Sequence, residues 1–282
     1  MKKRTTLISI VAVLALVLAA CGTEDTGGPD GTTGSTTGTG MADLGGRTVT
    51  VAVENAYIPF NYIPIGETEG QGWDYDAWAA ICALLNCVPE FVESAWPALI
   101  DQVAQGDLDT AADGISITDE RKEIVDYSDA YMVVTQKFIV QLDDDRFATA
   151  QDLIDSDAIV ATQVGTTNYD LAVELIGADR IQAFDQFGLA IQALIAGDVD
   201  AVIIDDAAGL GYIGANSESI TTIDDPLQSD PLGFIFPKGS DLVDPVNQAL
   251  QALRDDGTME ELGILYFGPD FDLGYEDIEE VG

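Results

Sequence analysis

The chain has 282 residues, 47% of them hydrophobic, enough to bury one large core or two smaller ones and too apolar for general disorder. Asp and Glu number 50 against 11 Lys and Arg, a formal net charge of -39, which excludes a nucleic-acid surface because phosphates need a cationic face. With no histidine anywhere, Ser-His-Asp and Cys-His catalysis are excluded too, and the acid excess reads first as a solvated, self-repelling surface.

In chain order, the cationic MKKRTT precedes Leu7 to Ala20, a run of 14 mainly apolar residues that is too short to span a bilayer comfortably and fits an export signal. It ends in Leu18-Ala19-Ala20-Cys21, which resembles the lipobox of bacterial lipoproteins, in which small residues admit the signal peptidase and the thiol carries lipid. The expectation is a signal peptide over 1–20 with Cys21 as the lipidated N-terminus. Cleavage removes three of the eleven cations and leaves eight against fifty acids, so each remaining Arg is more informative. Between Gly22 and Gly40, 15 of 19 residues are Gly, Thr or Ser, which cannot offset the entropy of ordering; a flexible tether is expected over 21–44. No later segment reaches 18 uninterrupted apolar residues.

TVTVAVE alternates Val49, Val51 and Val53 as a strand does, and DYDAWAAICALL follows with Trp78, Ile81, Cys82 and Leu85 at helical spacing. EFVES is the next strand, Pro97 opens a helix through LIDQVAQ, and Gly106 stops it. The rhythm then repeats: AIVAT, the loop QVGTT, a helix through Leu175, RIQAF, the helix GLAIQALIAG and the strand AVIID. Two α/β units follow, each a mainly parallel sheet flanked by helices. They share Gly-Asp-apolar-Asp, at Gly106–Asp109 and Gly197–Asp200, which brings two strands to their ends near Asp113 and Asp205. Open α/β sheets bind ligands at such carboxyl ends, so two ends facing each other would form a cleft. GFIFP and helices around Val243 to Leu253 and Met259 to Tyr266 complete the chain and return to the first unit.

Cys82 and Cys87 either close a helix end as a local disulfide, which export permits, or stay as two buried thiols. A zinc site is disfavoured, because this pair stands alone without histidine. Asp109 to Glu120 partly matches a calcium loop, but Ala111 takes a ligand position and a strand precedes it; no metal or other cofactor is expected. ADGISITDER is more telling: Gly114 lets the chain approach a ligand, Ser116 and Thr118 offer hydroxyls, and TDER reads as a helix start with free N–H groups. There Arg121 can grip a carboxylate through two parallel hydrogen bonds, or pair on the surface with Glu120 or Glu123.

The ordered set VENAYIPF, GWDYD, SAWPALI, ADGISITDERKEIVDYSDAY, QVGTT, GDVDAVIID and LRDDGTMEEL, from about Gly46 to Gly268, resembles the polar amino-acid solute-binding proteins of ABC importers, family 3. The resemblance implies a two-lobed type II periplasmic-binding fold, with lobe 1 over 45–137 plus 232–282, lobe 2 over 138–231, and a cleft between lobes. It implies that Arg121 holds an α-carboxylate with Ser116, Thr118, Thr166 and Thr167, and that Asp205, or Asp206 beside it, takes the α-ammonium ion. Tyr57 and Trp96 would cover the side chain, or else pack as ordinary core aromatics, and Glu54 would reach its far end. Asp113 stands where many members have a small neutral residue, and with Glu54 it favours a cationic side chain, Arg or Lys. Cys82 and Cys87 lie closer together than the pair expected from related members.

Such a clamp closes because a zwitterion meets both of its partners only when the lobes come together, with hinge strands near Met132 to Val140 and Ser229 to Phe236. The expected protein is a monomeric, non-enzymatic receptor outside the cytoplasm, anchored through Cys21, that passes a free amino acid to an ABC permease. The alternatives are a secreted lyase on the same fold, resembling cyclohexadienyl dehydratases, and a tethered sensor.

Overall fold

The computed structural model describes residues 40–268 and Phe271. The expected signal peptide, Cys21 and the tether as far as Thr39 lie outside the described residues. The end of the expected tether is already held: Leu44 donates its N–H to the Leu85 carbonyl at 2.8 Å and packs on the core.

Two sheets organise the described chain. In the first, the strands run in the order Cys87–Glu93, Arg47–Val53, Thr110–Ala111, Ile235–Pro237 and Val125–Tyr127. The three earliest in the chain are parallel, whereas Ile235–Pro237 runs antiparallel to both neighbours. The second has the order Ile220–Thr222, Met132–Gln141, Ala201–Asp205, Val160–Gln163 and Ile181–Phe184, and Gln228–Leu232 joins it beside Met132–Gln141. In the second sheet, the strands joined by the crossover helices Thr167–Ile176 and Phe187–Ala196 are parallel. The antiparallel partners are the long strand Met132–Gln141 and those that return to it. The chain passes between sheets at 128–131 and again at 233–234, since Met132 already pairs with Leu232.

Local sequence explains the elements. Helix Trp73–Leu85 buries Trp73, Ala77, Trp78, Ile81, Cys82 and Leu85, and stops at Asn86, whose left-handed backbone (φ 51°) returns its N–H to the Cys82 carbonyl. Cys82 and Cys87 are disulfide-bonded, tying the last turn of that helix to the first residue of the edge strand.

The repeated Gly-Asp-apolar-Asp produces the same structure twice. Gly106 and Gly197 both sit at φ 78°, ending helices Trp96–Gln105 and Phe187–Ala196, and the N–H groups of each Gly-Asp return to the last turn. The second aspartate of each motif then accepts the N–H of a neighbouring strand and an arginine: Asp109 takes Thr50 and Arg47, Asp200 takes Ile159 and Arg146. Two scarce cations are thereby committed to aligning strands.

The helix Asp206–Ala215 carries no clear sequence signal, because Gly209, Gly211 and Gly214 lower its propensity. Packing overrides that: a side chain at Gly211 would press on Ile58 at 3.3 Å, so glycine permits the close approach.

Candidate functional site

Both sheets send carboxyl ends into one crevice. On the first, Ala52 pairs with Ala111 and the Ala112 N–H reaches the Ala52 carbonyl at 3.0 Å, so this register delivers Glu54 and Asp113 together at the sheet end. On the second, Asp205 ends its strand beside the strand that ends at Gln163. Of the expected residues, Glu54, Tyr57, Trp96, Asp113, Gly114, Ser116, Arg121, Thr166, Thr167 and Asp205 line the crevice. Thr118 does not; it lines an open outer groove of about 640 Å³ that shares Trp96, Arg121 and Thr167 with the crevice.

The helix start expected at TDER is instead a three-residue 3-10 turn, Arg121–Glu123. The Thr118 hydroxyl, just ahead of that turn, accepts the Arg121 N–H at 3.1 Å. Arg121 has no ion pair among the described residues, Glu120 and Glu123 included. Its guanidinium lies over the Trp96 ring at 5.4 Å and donates to the Ser116 carbonyl at 3.1 Å and the Gly165 carbonyl at 3.3 Å. The fork therefore already spans both sheets.

Thr166 is the N-cap of helix Thr167–Ile176: its hydroxyl accepts from the Tyr169 N–H at 3.1 Å and donates to the Gln163 carbonyl at 2.8 Å. What it offers the crevice is the positive end of a helix rather than a free hydroxyl. Thr167 and Ser116 hydroxyls meet across the crevice at 3.2 Å. Gly114 has φ 57°, and a side chain there would strike the Tyr57 ring at 2.6 Å.

Asp205, not Asp206, faces inward. Tyr57 donates to one of its oxygens at 2.9 Å and Asn168 to the other at 3.0 Å, whereas Asp206 accepts the backbone N–H groups of Thr135 and Ala207. Tyr57 stacks on Phe60 and Phe187 at 5.3 and 5.5 Å, so it serves both as core aromatic and as a wall of the crevice. Glu54 accepts from Gln163 at 2.7 Å across the gap. Gln163, Asn168 and Phe187 are lining residues that sequence reasoning missed. Gln163 and Asn168 flank the TT of QVGTT, which was the only available signal.

The crevice is narrow, with about 20 Å³ of water-accessible space, because its walls are bonded directly to one another.

Burial raises the acids here. It pushes Asp205 up to about 6 against the opposing bonds from Asn168 and Tyr57, and Asp113 up to about 7 although Asn61 donates to it at 2.6 Å. Glu54 is driven well above the carboxylate range, first by burial and then by the Asp113 charge. An acid whose folded pKa exceeds its unfolded value contributes stability that is complete below the unfolded pKa and is lost as pH rises through the folded one. The ligand-free protein should therefore lose thermal stability on going from about pH 5 to about pH 8. Asp113→Asn should reduce that loss by on the order of 2 kcal/mol; a thermal-unfolding profile with the same pH slope in the variant would count against this account.

Two α/β lobes, each ending its parallel strands at a shared crevice, define a type II periplasmic-binding fold. Residues 49–269 match the profile of the bacterial extracellular solute-binding proteins, family 3, and the chain belongs to that family. It is 26% identical over 277 residues to a probable histidine-binding protein of Neisseria gonorrhoeae, covering 95% of this chain and 97% of that one. Among solved structures, the arginine-, lysine-, histidine-binding protein ArtJ of Geobacillus stearothermophilus is similar with a TM-score of 0.74 and 31% identity, over 80% of this chain and 98% of that one. The ancestral amino acid-binding protein AncCDT-1, described as a precursor of cyclohexadienyl dehydratase, is similar with a TM-score of 0.73 and 31% identity, over 78% and 95%.

Proposed function

We propose that this protein is the extracytoplasmic receptor of an amino-acid ABC importer, closing on one free amino acid, with arginine or lysine preferred, and passing it to the permease. The observation that carries this reading is that Arg121, on a 3-10 turn beside the first sheet, and Asp205, ending a strand of the second, line one crevice. Arg121 takes the α-carboxylate together with Ser116, Thr167 and the helix start at Thr166; Asp205 takes the α-ammonium ion. Tyr57 and Trp96 flank the side chain, and Glu54 and Asp113 receive its far end. The histidine-binding relative and ArtJ, whose names give amino-acid ligands, support the same reading.

The lobes part by rotation about 128–131 and 233–234, and the ligand holds them closed because only the closed form gives it both partners. In this reading the chain is cleaved before Cys21, lipidated there, and works as a monomer held near the membrane by its Gly/Thr tether. It performs no catalysis. Titration calorimetry with the twenty amino acids, together with incubation with prephenate and arogenate, tests the proposal. Stoichiometric binding with arginine tighter than glutamine and no turnover is expected. Glutamine tighter than arginine would end the cationic preference, and conversion of either cyclic acid would replace the receptor by a lyase.

A further inference from the structure

The crevice carries more acid than a zwitterion uses. Asp205 suffices for an ammonium ion, yet Glu54 and Asp113 stand beside each other on the opposite sheet, both buried. Their proximity does not depend on lobe closure, because the register of strands Arg47–Val53 and Thr110–Ala111 sets it within one sheet. The surroundings are poor in compensating charge. Asn61 donates to Asp113 Oδ1 at 2.6 Å, but shares the same amide nitrogen with Asp74 Oδ2 at 2.9 Å. Asp113 Oδ2 and Asp74 Oδ1 are buried with no partner among the described residues.

Every element packed around the pair adds acids, phenols or neutral donors. Helix Trp73–Leu85 brings Asp74 and Tyr75, the segment after Val53 brings Tyr57, and the segment before Met132 brings Tyr131, all of which feel the Asp113 charge. The second sheet brings Gln163 and Asp205. Arg121 is the one cation among the lining residues, and its guanidinium is engaged by the Ser116 and Gly165 carbonyls.

Two such carboxylates cannot both ionise cheaply, so the pair must share a proton or receive a cation. Asp113 lines the crevice and carries a buried Oδ2 with no partner among the described residues, which marks where. We propose that Glu54 and Asp113 together hold one proton until a cationic side chain replaces it, so that binding arginine or lysine expels to solvent a proton that binding a neutral amino acid leaves in place. The proton departs from a carboxyl oxygen, and the carboxylate left behind pairs with the guanidinium or ammonium group. This rests on the reading of the crevice as an amino-acid site. Directions of the acids agree: burial raises both members, and Glu54 is raised further by Asp113.

The test is calorimetry of the full chain with arginine and with glutamine, near pH 6.5, in two buffers of different ionisation enthalpy. Glutamine carries the same α-groups, so any proton leaving Asp205 cancels in the comparison. Arginine should release at least about half a proton more than glutamine, and the arginine-to-glutamine affinity ratio should rise roughly tenfold between about pH 5.5 and about pH 7.5. In the combined variant Glu54→Gln, Asp113→Asn, glutamine should still bind and arginine should bind more weakly than glutamine at both pH values. Arginine binding with no excess proton overturns the exchange and leaves the receptor standing, as does excess release that persists in the double variant. Glutamine binding without arginine binding ends the exchange and the cationic preference, and binding of neither ends both while the other eighteen amino acids decide the receptor reading.

Discussion

Arg121→Ala is expected to weaken amino-acid binding by about 2 to 5 kcal/mol while the fold survives, the loss typical of truncating one member of a desolvated charge pair. The fold should survive because the guanidinium carries no ion pair among the described residues and lies at the crevice rather than in a core cluster. Binding should suffer twice. In the proposed function the side chain supplies the charge opposite a carboxylate, and through the Ser116 and Gly165 carbonyls it also ties the two sheets together. Arg121→Lys separates these roles: it keeps the charge but lacks the planar fork, so its loss should fall between those of wild type and alanine. Calorimetry on the alanine variant that returned the wild-type affinity would remove Arg121 from the site.

Much of this arrangement was legible in the sequence, for physical reasons that differ by element. The alternation of Val49, Val51 and Val53 and the glycine stops at 106 and 197 report backbone periodicity and left-handed turns, which are local properties. The Gly-Asp-apolar-Asp repeat was visible as text; that its last aspartate would align a strand and hold an arginine was not, because the partners Thr50 and Ile159 are 59 and 41 residues away. The same holds in the crevice. Gln163 meets Glu54 over a separation of 109 residues and Tyr57 meets Asp205 over 148, contacts that exist only once two sheets face each other. Thr118 differs for the opposite reason: its hydroxyl accepts a nearby backbone N–H, and the residue lines the outer groove.

In the proposed function, the direct contacts across the crevice make ligand binding an exchange. Tyr57 on Asp205, Gln163 on Glu54 and Ser116 on Thr167 satisfy polar groups that would otherwise be buried unpaired. A ligand gains only the difference between its own contacts and these. Hydroxyls and amides yield readily to a full charge, so a zwitterion can outcompete them where an uncharged solute of equal size cannot.

Asp205→Asn tests that difference at the ammonium end. The residue keeps its shape, and Tyr57 and Asn168 can still bond to it after an amide flip, so the crevice should retain its geometry. What disappears is the negative charge, which matters to an amino acid and not to the same molecule lacking its amino group. The variant should lose about 2 to 5 kcal/mol toward the amino acid, and far less toward the des-amino analogue, bringing their affinities close together. The measurement is best made near pH 8, where a carboxyl raised to about 6 is ionised in the wild type; near pH 5 protonation should already remove about 1.4 kcal/mol of that advantage. Equal losses for the amino acid and its des-amino analogue would show that Asp205 shapes the crevice without meeting the ammonium ion.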